Sequence, residues 1–202
     1  MSKHNIIIAG AGGIGQAAGL ILSVSDILDA KIYVGDIRQN ALDETIRFIE
    51  EGSGKKDIVE GFLMSSEGVS DAFRKVLEKG DIILDCLPGA MAPVIAQLCV
   101  DYNLHYANLT EYVAETNKIM DLAKDANTGF ALQTGVAPGF VNVLGNYLYH
   151  QFQDRYGTDE LNLMEMKVGA LSQNASAPHF YNFTWSPIGV ATEYVKDAVI
   201  VQ

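Results

Sequence analysis

Cysteine is scarce: the chain has 202 residues and two cysteines, Cys86 and Cys99. They form no CxxC pair and no spaced framework, so neither a disulfide scaffold nor a thiolate metal centre is expected. Both stand among apolar neighbours and are expected to be core thiols. Basic charge is also in short supply, with 14 Lys and Arg against 25 Asp and Glu and a net charge of −11. A surface of that sign repels phosphate polymers and anionic headgroups, which argues against nucleic acid or membrane as a main partner. A local basic pocket for one phosphate group is still compatible with it. No long uncharged apolar run suits a membrane-crossing helix. Lys3 and His4 lead straight into a strand pattern, without the layout of a signal peptide. A reducing, cytoplasmic setting is therefore expected.

Several catalytic signatures are missing as well. There is no HExxH and no tight His/Cys/Asp cluster, so no metal is expected. No Gly-x-Ser-x-Gly elbow is present. The glycine-rich run near the start lacks the Lys-Ser/Thr of a nucleoside triphosphatase. No Tyr-xxx-Lys follows the fourth predicted strand, which argues against a short-chain reductase.

What the chain does have is an apolar fraction of 49% and a regular alternation of elements. Strands are predicted at 4–9, 31–36, 57–64, 81–87, 105–108 and 129–133. Helices are predicted at 12–24, 40–51, 70–79, 91–100 and 112–126. In the second helix Ala41, Leu42, Thr45, Ile46 and Ile49 recur at helical period, and Gly52-Ser53-Gly54 is expected to stop it. In the third, Ala72, Phe73, Val76 and Leu77 are expected to face inward. Strand and helix alternating every twenty to twenty-five residues or so demand βαβ crossovers and a parallel sheet. The fold class is α/β, a doubly wound parallel Rossmann sheet of order 3-2-1-4-5-6. After Gly135 the pattern changes. A helix is predicted at 140–152, a long strand at 159–172, and an aromatic loop over 174–189. The apolar end, Asp197 to Gln202, suggests a chain cut from a longer protein.

Residues 10–15, Gly-Ala-Gly-Gly-Ile-Gly, satisfy GxGxxG between a predicted strand and a predicted helix, the context that gives the motif its meaning. Gly10 would make the tight turn, Gly12 would let the backbone approach a diphosphate, and Gly15 would let helix and strand pack closely. Gly13 and Ile14 open the helix, whose N–H groups favour an anion. Asp36 ends the second strand, where a carboxylate accepts the adenosine ribose hydroxyls and repels a 2′-phosphate. NAD is thus favoured over NADP. Arg38 keeps the other choice open, since it could pair with a 2′-phosphate or stack on adenine. Ile37 and Ser65 join the adenosine side, Ser65 lying where the adenine edge is expected. Across the topological switch, Leu87, Pro88 and Gly89 would run against the nicotinamide ribose.

The ordered set Gly10–Gly15, Asp85-Cys-Leu-Pro-Gly89, Tyr106-Ala-Asn-Leu-Thr-Glu-Tyr112, Gly135-Val-Ala-Pro-Gly139 and Phe183-Thr-Trp-Ser-Pro187 resembles the saccharopine dehydrogenase-like family. This family includes saccharopine reductases and lysine 6-dehydrogenase-like enzymes. The resemblance implies a Rossmann domain, residues 1–135, followed by the start of a mixed α/β substrate and dimerisation domain, residues 136–202. It places the crossing between them at Gly135–Gly139. Saccharopine-type members carry Asp-Pro-Gly where this chain has Ala137-Pro138-Gly139, and the Ala form is more like the lysine-dehydrogenase side. The implied activity is NAD(P)-dependent oxidation or reduction at the C–N bond of an amino acid or secondary amine.

Hydride transfer requires placement of the nicotinamide against the reacting carbon, and amine oxidation also requires a proton acceptor. Tyr112 and Glu111 sit on the strand-five rim, and His179 lies in the aromatic loop. Tyr112 and His179 are the catalytic candidates. His105 is expected to pack, with His4 and His150 peripheral. The expected partners are a small amino-acid or amine substrate and a second copy in a homodimer. The rival expectation is a dinucleotide-binding regulatory or assembly module without turnover.

Overall fold

The computed structural model describes residues 4–169 together with 174, 176 and 177. The chain divides into two units, Met1–Gly135 and Val136–Gln202.

The first unit is a six-stranded parallel sheet of order β3-β2-β1-β4-β5-β6. Its strands are β1 (His4–Ala9), β2 (Ala30–Asp36), β3 (Val59–Leu63), β4 (Ile82–Asp85), β5 (His105–Asn108) and β6 (Phe130–Ala131). The connecting helices are α1 (Gly13–Val24), α2 (Gln39–Ser53), α3 (Asp71–Leu77), α4 (Ala92–Asp101) and α5 (Val113–Ala123). A 3-10 turn, Gly89–Met91, precedes α4. The doubly wound order expected from the alternation is thus the order observed.

Ile7 and Ile8 show why the strands read as continuous apolar runs. Successive side chains of a strand point to opposite faces, and both faces here are covered. Ile7 joins one buried cluster with Phe73, Ile83, Ile95, Leu104 and Ile119. Ile8 joins the other with Ile32, Val34, Leu42 and Ile49. Each full burial of this kind contributes about 2–3 kcal/mol before conformational entropy is counted.

Several boundaries differ from the sequence expectation. Helix α2 runs through Gly52 and Ser53 and stops at Gly54, which takes the left-handed conformation at φ 67° and donates its N–H to the Glu50 carbonyl. Ala72 is exposed rather than inward, while Phe73, Val76 and Leu77 are buried. Strand β4 ends at Asp85, two residues early, because its carboxylate folds back to accept the Leu87 N–H at 3.1 Å. His105 is exposed; its Nδ1 accepts the Gly129 N–H at 2.9 Å, a local bond instead of core packing. Strand β6 has two residues because Gln133 turns left-handed at φ 57°.

In the second unit, α6 spans Phe140–Tyr156, four residues longer than expected, and ends at left-handed Gly157. Its start is fixed by Asn142, whose Oδ1 accepts the Gly139 N–H at 3.0 Å. Residues 159–169 are not a strand, correcting the expected run at 159–172. Leu161, Leu163, Met166 and Val168 are exposed and lack the alternation that buries one face of a strand. The aromatic loop with His179 and Trp185, and the chain end, lie outside the described residues.

Candidate functional site

In a doubly wound sheet the site lies outside the carboxyl ends of the strands, at the point where the winding reverses. Here β1 stands between β2 and β4, so the turns after β1 and β4 open side by side. Ala9 pairs with Asp85, and Asp85 with Asn108, which puts three strand ends level.

The turn after β1 is built by glycines. Gly10 adopts φ 108°, and a Cβ there would meet the Cys86 carbonyl oxygen at 2.9 Å, so only glycine fits. Its N–H donates to the Gly35 carbonyl at 2.8 Å. A Cβ on Gly15 would collide with the Gly10 carbonyl oxygen. Gly12 and Gly13 differ from these two: both are exposed, and an added Cβ would meet no atom within 4 Å. Gly12 is the N-cap of α1 and no side chain caps the helix. The first-turn N–H groups therefore stand beneath open space, with the positive end of the helix dipole behind them. This space suits a diphosphate in shape and in charge.

Asp36 holds the turn from the β2 side. Its Oδ2 accepts the Ala11 N–H at 3.0 Å, and its Oδ1 accepts the N–H of Arg38 at 2.9 Å and Arg38 Nε at 3.4 Å. The carboxylate is buried, whereas the Arg38 side chain is 63% exposed. Thr45 was visible in the sequence only as an inward position of α2. In the structure its buried hydroxyl donates to the Ala11 carbonyl at 3.0 Å and accepts from Gln16 Nε2 at 3.3 Å. It pins the outer side of the same turn. Ile37 is an exposed apolar side chain just past β2. Ser65 lies in a tight turn bridged to Gly68, and its Oγ accepts the Glu67 N–H at 3.0 Å.

On the other side of the switch, Cys86 donates its N–H to the Ala9 carbonyl at 2.8 Å, tying the β4 turn to the end of β1. Gly89 lies against the strand-five rim: a Cβ there would collide with the Thr110 hydroxyl and meet Tyr112 Cδ2 at 2.7 Å. Leu87, Pro88, Gly89 and Tyr112 are thus brought together. Glu111 and Tyr112 are half-buried.

The end of β4 carries the most perturbed carboxyl of the rim. Burial pushes Asp85 up to about 6, opposed by hydrogen bonds from the Tyr106 hydroxyl and the Leu87 N–H. Burial, with the Asp85 charge nearby, also raises the Tyr106 hydroxyl and the Cys99 thiol and pushes Cys86 up to about 12. Tyr106 is therefore a proton donor at neutral pH, and both thiols are protonated. Asp85, Tyr106 and Asn108 escaped the functional reading of the sequence. The available signal was a run of polar residues at the carboxyl ends of two otherwise apolar strands. Among the described residues no group of three His, Cys, Asp or Glu could hold a metal ion, and no helix is long and apolar enough to cross a membrane.

A family model described as the saccharopine dehydrogenase NADP binding domain matches residues 6–132. Mitochondrial alpha-aminoadipic semialdehyde synthase of Rattus norvegicus is 22% identical over 128 residues, covering 63% of this chain and 14% of that protein. Among solved structures, saccharopine dehydrogenase (L-Glu forming) from Saccharomyces cerevisiae matches with TM-score 0.58 at 15% identity, over 76% of this chain and 32% of that one. Levoglucosan dehydrogenase in complex with NADH matches with TM-score 0.57 at 13% identity, over 76% of this chain and 40% of that one. Shikimate dehydrogenase of Mycobacterium tuberculosis matches with TM-score 0.52 at 11% identity, over 78% and 53%. Identities this low establish a shared fold. The chain spans only a small part of the curated relative and about a third of the yeast enzyme.

Proposed function

Because the chain belongs to the family of saccharopine dehydrogenase NADP binding domains, we propose that it binds a nicotinamide dinucleotide along the rim and serves oxidation or reduction at the C–N bond of an amino acid or secondary amine. The observation that carries the dinucleotide reading is the open, uncapped start of α1 beneath Gly12 and Gly13. Gly10, Gly12, Gly13, Ile14 and Gly15 form the diphosphate cradle. Asp36, Ile37, Arg38 and Ser65 take the adenosine end, with the exposed Ile37 offering an apolar face to the base. Leu87, Pro88 and Gly89 line the nicotinamide end. The C–N substrate class is supported by the names of the relatives, a saccharopine dehydrogenase and an aminoadipic semialdehyde synthase.

NAD is the expected cofactor. Two backbone N–H groups fix the Asp36 carboxylate at the end of β2, where an anion opposes a 2′-phosphate. Arg38 directs its Nε toward that carboxylate at 3.4 Å, which supports the same choice.

When bound, the nicotinamide supplies the hydride acceptor or donor. The chain's own task is placement and proton handling. Gly89 lets the post-β4 turn lie against the ring of the catalytic candidate Tyr112. We assign it the proton of the substrate nitrogen. His179 remains the second candidate for this role.

Titration with NADH and NADPH, followed by nicotinamide fluorescence, tests the reading. NADH is expected to bind at least about tenfold more tightly than NADPH. Gly12→Ala is expected to weaken NADH by about tenfold or more while costing less than about 1 kcal/mol of stability, since the new methyl meets only the space meant for the diphosphate. Failure of both dinucleotides to bind below about millimolar would end the proposal. The substrate class is read by NADH formation with lysine, saccharopine and carboxylated polyamines.

A further inference from the structure

The rim also holds a buried polar chain that the dinucleotide reading does not use. Asp85, Tyr106 and Asn108 are all buried. The Tyr106 hydroxyl donates to Asp85 Oδ2 at 2.8 Å and accepts from Asn108 Nδ2 at 3.2 Å. Asn108 Oδ1 accepts the Gln133 N–H at 3.1 Å, and the Asn108 carbonyl accepts the Thr134 N–H at 2.9 Å and its hydroxyl at 2.8 Å. At the other end Asp85 Oδ1 accepts the Leu87 N–H at 3.1 Å. One continuous set of bonds therefore runs from the turn after β4, across β5, to the segment after β6.

Packing alone does not account for it. A buried carboxylate is unfavourable against an apolar side chain of similar size, so its bonds specify an arrangement more than they add stability. The arrangement specified is unusual: Gln133 is a left-handed non-glycine, a conformation that persists when its surroundings over-determine it. Its N–H is held by Asn108, and the next residue is held twice more. At the opposite end, Leu87 is the last backbone donor fixed before Pro88 and Gly89 turn along Tyr112.

We propose that Asp85, acting through Tyr106 and Asn108, is a positioning residue that locks the turn 87–89 and the segment 133–134 into one arrangement on the nicotinamide side of the rim. Its functional consequence rests on the dinucleotide reading. Asp85 itself faces inward and acts through the backbone it holds.

Tyr106→Phe tests this, because it removes the hydroxyl and keeps the ring that packs on Phe130. NADH and ADP-ribose are titrated in parallel, the second lacking the nicotinamide ring. NADH is expected to weaken about tenfold and ADP-ribose by less than about twofold. Equal weakening of both, or an unchanged NADH affinity, overturns the proposal. Amide hydrogen exchange in the same variant needs no cofactor. Leu87 and Gln133 are expected to exchange about tenfold faster while Ile32 and Val34 do not change. Constant exchange at Leu87 or Gln133 overturns the coupling. Asp85→Asn retains an acceptor for Leu87 and a polar partner for Tyr106, so NADH affinity is expected within about twofold of the parent. Loss there as large as in Tyr106→Phe would assign the effect to charge and overturn the positioning role. Should Tyr106→Phe not fold, Asn108→Ala is read by the same split between NADH and ADP-ribose. If the parent binds no dinucleotide, the functional reading fails separately, and the exchange data alone decide the network.

Discussion

At the scale of single residues, Asp85 carries the clearest electrostatic consequence. Burial raises its folded-state pKa to about 6 from an ordinary 3.8. Below the lower value both folded and unfolded chains hold the proton, and burial of the neutral acid carries little penalty. Between the two, the folded chain keeps a proton that the unfolded chain has released, so stability falls as pH rises. Above about 6 both are ionised and the full cost remains, about 3 kcal/mol for a shift of this size. Asp85→Asn removes the titration. Urea unfolding of the variant and its parent is expected to coincide near pH 4 and to favour the variant by about 1–3 kcal/mol near pH 7.5. A parallel pH dependence in the two proteins would show that another group titrates instead. The polar strand end was visible in the chain, but the pairing that buries Asp85 was not, because its partner Tyr106 is twenty-one residues away. The glycine turn at 10–15 was legible as a strand-to-helix turn, because a positive φ at Gly10 and the close approach of Gly15 to the Gly10 carbonyl leave no room for a side chain.

At the scale of elements, short segments depend on their ends. Helix α3 has seven residues, too few for stability from propagation alone. Ser70 caps it: its hydroxyl accepts the Phe73 N–H at 3.1 Å and donates to the Leu63 carbonyl at 2.8 Å, joining α3 to the end of β3. Ser70→Ala is expected to cost about 1–2 kcal/mol, read as a lowered urea midpoint at unchanged slope. The existence and type of the Rossmann elements followed from period and spacing, and their ends did not. Strand β4 stops where its last side chain claims the N–H two residues on, β6 stops two residues before a left-handed one, and α2 passes two residues that break helices elsewhere. Those outcomes depend on tertiary partners. The misjudged run at 159–169 has the same origin, since apolar content without alternation does not supply a ladder partner.

At the scale of the whole molecule, the order of six strands was legible because parallel crossovers leave few alternatives. The position of the rim followed from that order. What joins one rim turn to the next was hidden, because it consists of side chains from distant strands that meet only after folding. The two thiols carry a consequence of this architecture. Cys99 is sealed within the first apolar cluster, and Cys86 sits at the winding reversal with its thiol pushed up to about 12. Neither has the thiolate fraction that alkylating reagents attack. In pulse labelling with iodoacetamide, modification of Cys99 is expected to track global unfolding across a denaturant series, and labelling in buffer well before the fluorescence transition would contradict its burial. Because Cys86 is the one other cysteine in the chain, labelling resolved at Cys99 gives the protein its own clock for how often that cluster opens to solvent.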